Sequence, residues 1–307
     1  MKISAPCCLM QEIQRAAIIG VTGFVGRGLP ALLAETGVKC TGISRSGTGT
    51  LTGVDRWQTP TSLDLSGHHA VINLAGEPID QRWSEKTRRS FHESRVGLTR
   101  QVVEATRKLP ARTRPQVLVN ASAVGIYGDR NDQILTESSA LGSGYLADLC
   151  SDWEEAALEA QALGVRVVRM RIGIVLGRDG KAFKKLLLVF KSGIGGRLGT
   201  GQQWMPWIHL EDLRAAIVHS LFSETLSGPV NGTAPAPERN CDFTRKFASA
   251  LHRPAIFPVP GFALELALGG FGSALLAGQR ALPAALQADD FRFKFPTLES
   301  ALDDLIG

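Results

Sequence analysis

The sequence predicts an α/β fold, a doubly wound parallel sheet followed by a small C-terminal α/β lobe. Three observations predict it. A glycine cluster at Gly20, Gly23 and Gly26 joins an apolar run at 16–19 to an apolar-periodic stretch that ends near Glu35, with Gly37 as its stop signal. Further apolar runs at 39–44, 70–74, 116–120 and 165–172 alternate with helical stretches at 84–108 and 146–163. The ends of these runs carry NLAGEP, NASAVGIYG and RIGIVLG, where small residues dominate. Alternation of this kind argues for parallel strands with ligands at their carboxyl ends.

The first element is a strand–turn–helix–strand unit. Gly20 permits a tight turn, Gly23 lets the backbone approach a pyrophosphate, and Gly26 lets the helix pack closely on the strand. Phosphates then meet the free N–H groups of the helix start. With Thr22, Phe24 and Val25 between them, these glycines form the candidate cofactor turn of a Rossmann sheet. The second strand closes on Ser44, Arg45 and Ser46, with no acid to accept from a ribose 2′-hydroxyl. A guanidinium pairs bidentately with a 2′-phosphate that a carboxylate would repel, so NADP(H) is favoured over NAD(H).

At 307 residues the chain is long enough for one large domain or two closely joined ones. It is 44% hydrophobic and 21% charged with a net charge of +5, an ordinary globular balance. No Lys/Arg block interleaved with aromatics suggests a nucleic-acid partner. Five cysteines without metal-type spacing, Cys7, Cys8, Cys40, Cys150 and Cys241, fit free thiols in a reducing, cytoplasmic compartment and no metal site. The apolar stretch 255–278 is interrupted by Glu265, two prolines and several glycines, which predicts a buried helix pair and not a membrane span. Residues 1–14 read as a short tail and 15–232 as the dinucleotide-binding domain, with 178–206 crossing toward the substrate side. The proline-marked segment at 234–237 is the linker signal, so 233–307 is expected to form the small substrate-side domain.

The motifs GVTGFVG, NLAGEPI, Ser94-Arg95-Val96, SAVGIYG, Cys150 with Trp153-Glu154, RIGIVLG and WMPWIHLEDL occur in that order. Together they resemble the atypical extended short-chain dehydrogenase/reductases, in particular the "epimerase family" or sugar-nucleotide-epimerase-like subgroup. The resemblance covers about residues 16–305 and extends to the C-terminal RALPAALQADDFRFKFPTLESAL. It implies NADP(H) on the large domain and a small-molecule substrate between the domains. It also implies cofactor positions: Ser44 and Arg45 at the 2′-phosphate, and Leu74, Ala75 and Gly76 on the adenosine side. Arg95 would reach the cofactor, Ala121 would stand beside it, and Gly173 and Val175 would lie near the nicotinamide end.

Extended members of that family generally use Ser/Thr, Tyr and Lys, the lysine one helical turn after the tyrosine. Ser122 and Tyr145 fill the first two positions, and the lysine position holds Leu149. Leu146, Leu149, Cys150, Trp153 and Ala157 form a helical stripe, so Leu149 reads as a core residue. A tyrosine near its ordinary pKa of about 10 is ionised only about one part in a thousand at neutral pH. It is handicapped as a base for oxidising an alcohol and already in the right state as an acid for reducing a carbonyl. The expectation is an NADP(H)-dependent oxidoreductase or epimerase-like enzyme; the alternative is a non-catalytic NADP(H)-binding sensor or scaffold.

Two lesser signals remain. The stretch 178–199 carries six Lys/Arg against Asp179 alone. It reads either as a solvated amphipathic face or as a cationic wall for an anionic substrate, in which Arg197 is the better candidate. His209 reads as a structural histidine at the domain joint, with a substrate contact as the alternative.

Overall fold

A computed structural model describes residues 12–307. Cys7, Cys8 and most of the expected tail lie outside the described residues. Seven parallel strands make the main sheet: β1 (Arg15–Ile19), β2 (Lys39–Ile43), β3 (Val54–Gln58), β4 (Ala70–Asn73), β5 (Val117–Ala123), β6 (Arg166–Ile172) and β7 (Gly228–Gly232). Their spatial order is β7-β6-β5-β4-β1-β2-β3. The chain starts in the centre, builds outward through β2 and β3, then returns to β4 and builds the other way. Ile19 pairs with Ile43 on one side and Asn73 on the other, so the crevice of the doubly wound fold opens beyond the carboxyl ends of β1 and β4.

The helices are α1 (Leu29–Glu35), α2 (Glu85–His92), α3 (Leu98–Arg107), α4 (Tyr145–Leu158), α5 (Lys181–Lys191) and α6 (Leu210–Phe222). After them come α7 (Asn240–Ala250), α8 (Gly261–Leu268), α9 (Gly270–Leu276), α10 (Ala284–Ala288) and α11 (Leu298–Ile306). The central strands are buried on both faces and read as continuous apolar runs for that reason. One face is covered by Leu29 and Leu33 of α1 with Leu213 and Ile217 of α6. The other is covered by Val102 and Val103 of α3 with Ala157 of α4. Gly37 at φ +80° ends α1: its N–H bonds Ala34 while that of Val38 bonds Leu33, the paired bonds of a left-handed helix stop.

A separate aromatic core joins α5, α7 and α11 through Phe183, Phe190, Phe243, Phe247 and Leu302. The C-terminal part does not stay with that core throughout: Leu286 of α10 and Phe291 pack back against the sheet.

Three sequence expectations are corrected. The helix expected over 84–108 is interrupted by a π-helical turn at Glu93–Gly97 between α2 and α3. Two strands of the main sheet lie outside the expected runs, β3 (VDRWQ) and β7 (GPVNG); both are sheet edges, where one side needs no partner and polar residues or Pro229 are tolerated. The pair expected over 255–278 exists as α8 and α9, but α8 is not buried: Phe262 is 73% and Leu266 76% exposed. Among the described residues no helix is long and apolar enough to cross a membrane.

Candidate functional site

The glycine turn follows β1. Gly20 has φ +79°, and a Cβ there would lie 3.1 Å from the Ala75 nitrogen, so only glycine lets the turn pass under the β4 loop. A Cβ on Gly26 would come within 2.4 Å of the Gly20 carbonyl oxygen. Thr22 and Gly23 are exposed above the turn, while Phe24 and Val25 are half-buried. Sequence reasoning missed Arg214 of α6, which donates to the Phe24 and Val25 carbonyls at 2.9 Å each and holds the turn from behind. At the end of β2, Ser44 is buried against Ser46 at 3.1 Å and Arg45 is exposed.

The loop after β4 is pinned by the Ser94–Arg95 pair at the π-helical turn. Ser94 Oγ accepts from the Glu77 N–H at 3.0 Å, and Arg95 donates to the Glu77 carbonyl at 3.0 Å. The Arg95 guanidinium lies directly beneath Gly76, where a Cβ would be 3.0 Å from its central carbon. Leu74 and Ala75 are half-buried and Gly76 is exposed, so this loop presents backbone to the crevice. Beneath it, the Asn73 amide donates to Asn120 at 2.7 Å and to Thr99 at 3.0 Å, and Trp153 also donates to Thr99. This buried ladder fixes the ends of β4 and β5.

A cleft of about 490 Å³ opens beyond β5 and β6 and is closed on its far side by α9. Tyr145, the first residue of α4, lines it. Its ring lies 5.1 Å from Trp83 and 4.5 Å from the Arg88 guanidinium, and its hydroxyl faces the Arg88 carbonyl at 3.4 Å. Partial burial raises the Tyr145 pKa, against the opposing pull of Arg88 and Arg95. Leu149 is 4% exposed among Phe91, Val96, Ala121 and Trp153, a core position; the cation beside that cluster is Arg95, whose guanidinium lies 5.3 Å from the Trp153 ring. Cys150 lines the cleft as a neutral thiol, its pKa pushed up to about 12 by burial and then by Glu154.

Ser122 is placed differently from the expectation. It is 2% exposed, is not among the cleft-lining residues, and donates to Glu154 at 2.8 Å. Glu154 also accepts from Arg171 at 2.8 and 3.0 Å and from Arg169 at 2.9 Å, and Arg171 donates to the Tyr127 hydroxyl at 2.9 Å. Side chains alternate along a strand, so it is Ala123 that lines the cleft. Sequence reasoning missed the role of Glu154; the signal was Arg169 and Arg171, two apart on a strand and needing a buried anion.

The other candidates fall as follows. Ala121 is buried beneath the cleft, and Gly173 lines it, where a Cβ would be 2.0 Å from the Pro206 oxygen. Val175 pairs with Ile208 and packs on the main core. His209 is buried: its Nδ1 accepts from the Glu211 N–H at 3.2 Å to cap α6, and its Nε2 lies 3.4 Å from Asp304. Lys184 and Lys185 are solvent-exposed and ion-paired with Asp179 and Asp80. Arg197 does not line the cleft; it borders one hollow with Arg245 and Arg253 and a second that shares Gln203 with the cleft. No cluster of metal-type ligands occurs among the described residues.

Residues 16–229 match the NAD dependent epimerase/dehydratase family. The chain belongs to that family. Residues 259–305, which include α8, α9 and α10, match a domain of unknown function, DUF1731. A chloroplastic epimerase family protein of Arabidopsis thaliana is 37% identical over 96% of this chain and 88% of its own length. An epimerase family protein of Mycobacterium bovis is 39% identical over 93% of this chain and 95% of its own. The solved human epimerase family protein SDR39U1 (isoform2) with NADPH superposes with a TM-score of 0.86 at 32% identity, covering 95% of this chain and 99% of that one. A UDP-galactose 4-epimerase, 17% identical with a TM-score of 0.68, covers 95% of this chain and 97% of its own and shares the fold. In this family member the glycine turn lies inside the first matched segment, and the wall of the cleft formed by α9 lies inside the second.

Proposed function

We propose that the chain binds NADP(H) and reduces a carbonyl compound in the cleft beside Tyr145. The cradle fits the cofactor: Gly20 and Gly26 leave room that a Cβ would fill, and Ser44–Arg45 closes β2 without an acid. The exposed Thr22 and Gly23 and the half-buried Phe24 and Val25 would face the diphosphate, and Ser44 and Arg45 the 2′-phosphate. Leu74, Ala75 and Gly76, held by Arg95, would flank the adenosine; Gly173 would lie on the nicotinamide side with Ala121 beneath, while Val175, packed on the main core, would support that side from behind. NADPH supplies two electrons and a hydrogen to the carbonyl carbon when bound.

The single observation that carries the direction is Leu149, buried one helical turn after Tyr145 where a lysine would lower the phenol's pKa. With no lysine there, and with partial burial favouring the neutral form, the Tyr145 phenol is a proton donor at neutral pH. Tyr145 turns its hydroxyl from the Arg88 carbonyl, gives that proton to the substrate's carbonyl oxygen and regains one from solvent at the mouth of the cleft. Ser122 orients no substrate in this reading; with Glu154 it locks α4 to β5 and so fixes where Tyr145 begins. The test is single-turnover NADPH oxidation on a panel of carbonyl compounds. Wild type should exceed Tyr145→Phe by about 100-fold or more, and equal rates would remove the phenol from the chemistry.

Leu149 and the turned-away Ser122 favour a second reading, an NADP(H)-binding protein without turnover. Tight NADPH binding with no oxidation across the whole panel decides for it.

A further inference from the structure

We propose that the cleft takes an uncharged, largely apolar carbonyl compound and not a nucleotide-diphosphate sugar, which rests on the reductase reading and names its substrate class. With Gly173 and Ile174 on the cofactor side, the remaining wall is built from Ile79, Trp83, Leu146, Trp204, Phe271 and Leu275. No Lys, Arg or His lines it among the described residues, and its one charged side chain is Asp129. That carboxylate accepts the N–H of Gly278 at 3.1 Å and of Asn131 at 3.3 Å, so it belongs to the frame of the cleft.

A diphosphate brought into such a wall loses its water and gains no cation, while Asp129 repels it. The guanidiniums that touch cleft residues are stacked on rings. Arg239 and Arg280 lie 4.9 and 4.4 Å from the Trp204 ring, and Arg88 lies over Tyr145. None of the three lines the cleft, and Arg239 is further held by Asp132.

Most of the polar lining is also committed: Tyr145 donates to the Arg88 carbonyl and Ser273 to Glu265, while the Ser143 hydroxyl is not held in this way among the described residues. Gln203 donates to the Leu198 carbonyl, Gln279 to that of Gly128, and Asn240 accepts from the Leu198 N–H while donating to Met205. What a ligand meets is mostly apolar surface, with the hydroxyls of Tyr145 and Ser143 as its polar points. That is the arrangement of a pocket that binds by burial and orients by a few polar groups.

The test is calorimetric titration of the full chain, with and without NADPH, using 2-pentanone, 2-heptanone, 2-nonanone and, separately, UDP-glucose. Affinity for the ketones should rise about three- to four-fold per added methylene, with a negative heat-capacity change. UDP-glucose should bind at least tenfold more weakly than 2-nonanone. Leu275→Asp and Phe271→Ser, each checked for fold by circular dichroism, should both weaken 2-nonanone at least tenfold. Tighter binding of UDP-glucose, a flat ketone series, or no 2-nonanone binding up to its solubility overturns the proposal. NADPH oxidation is followed in parallel to keep the two readings apart. Ketone binding without oxidation ends the reductase reading alone, and oxidation driven by UDP-glucose ends the substrate class alone.

Discussion

Ser122 and Glu154 share a 2.8 Å hydrogen bond in which the serine hydroxyl donates to a buried carboxylate. That bond belongs to a closed network. Glu154 is the only acid accepting from Arg169 and Arg171 among the described residues. Burial works against the Arg171 charge, yet the Glu154 bonds outweigh it and its pKa is raised.

Removing one side of a buried ion pair strands the other, at about 3–5 kcal/mol. Glu154→Ala should therefore lose stability on that scale in urea unfolding. Ser122→Ala removes one hydrogen bond and should lose only about 1 kcal/mol. A loss of NADPH turnover in Ser122→Ala without loss of stability would return that serine to the chemistry.

Leu149→Lys places an ammonium among Phe91, Val96 and Trp153. The variant should be destabilised by several kcal/mol and should gain no dehydrogenase activity. An active and stable Leu149→Lys would show that the helix face opens onto the cofactor.

Buried His68 and His209 set a pH dependence. Both have pKa values lowered by burial, so the folded state binds these protons less readily than the unfolded one. Their contribution is complete above about pH 6.5, the ordinary imidazole value, and shrinks below it. It is gone once the pH has passed the lowered folded-state values. Urea midpoints should fall from pH 7.5 to 5.5, and His209→Asn, which keeps a capping side chain, should flatten part of that slope. A midpoint that rises on acidification contradicts this assignment.

The sheet centre was legible in the sequence because β1, β4 and β5 are buried on both faces and must be continuously apolar. The edges β3 and β7 were not, because half of each strand answers to solvent. Leu149 was legible as core from the stripe it shares with Leu146 and Trp153. Glu154 was not, because a carboxylate on a helix is read as solvated unless its partners, here on β6, are known. The interruption at Glu93–Gly97 was hidden for a similar reason. Ser94 and Arg95 turn toward the loop at Glu77, a contact 17 and 18 residues away in sequence that no local periodicity reports.

Gly26→Ala should abolish cofactor binding and destabilise the fold, since its Cβ meets backbone at 2.4 Å. Gly23→Ala, at 3.0 Å from the Gly20 oxygen, should be milder in stability and still impair binding. Thermal melts with and without NADPH separate the two effects. A Gly26→Ala protein that melts as wild type and is stabilised by NADPH as wild type is contradicts the assigned turn.

The most direct measurement is a fluorescence titration of wild type and Arg45→Ala with NADPH and NADH. Wild type should prefer NADPH, and Arg45→Ala should weaken NADPH about tenfold or more while leaving NADH unchanged, as loss of a charge-assisted phosphate contact requires. Equal affinity of wild type for the two coenzymes, or no binding of either, contradicts the account.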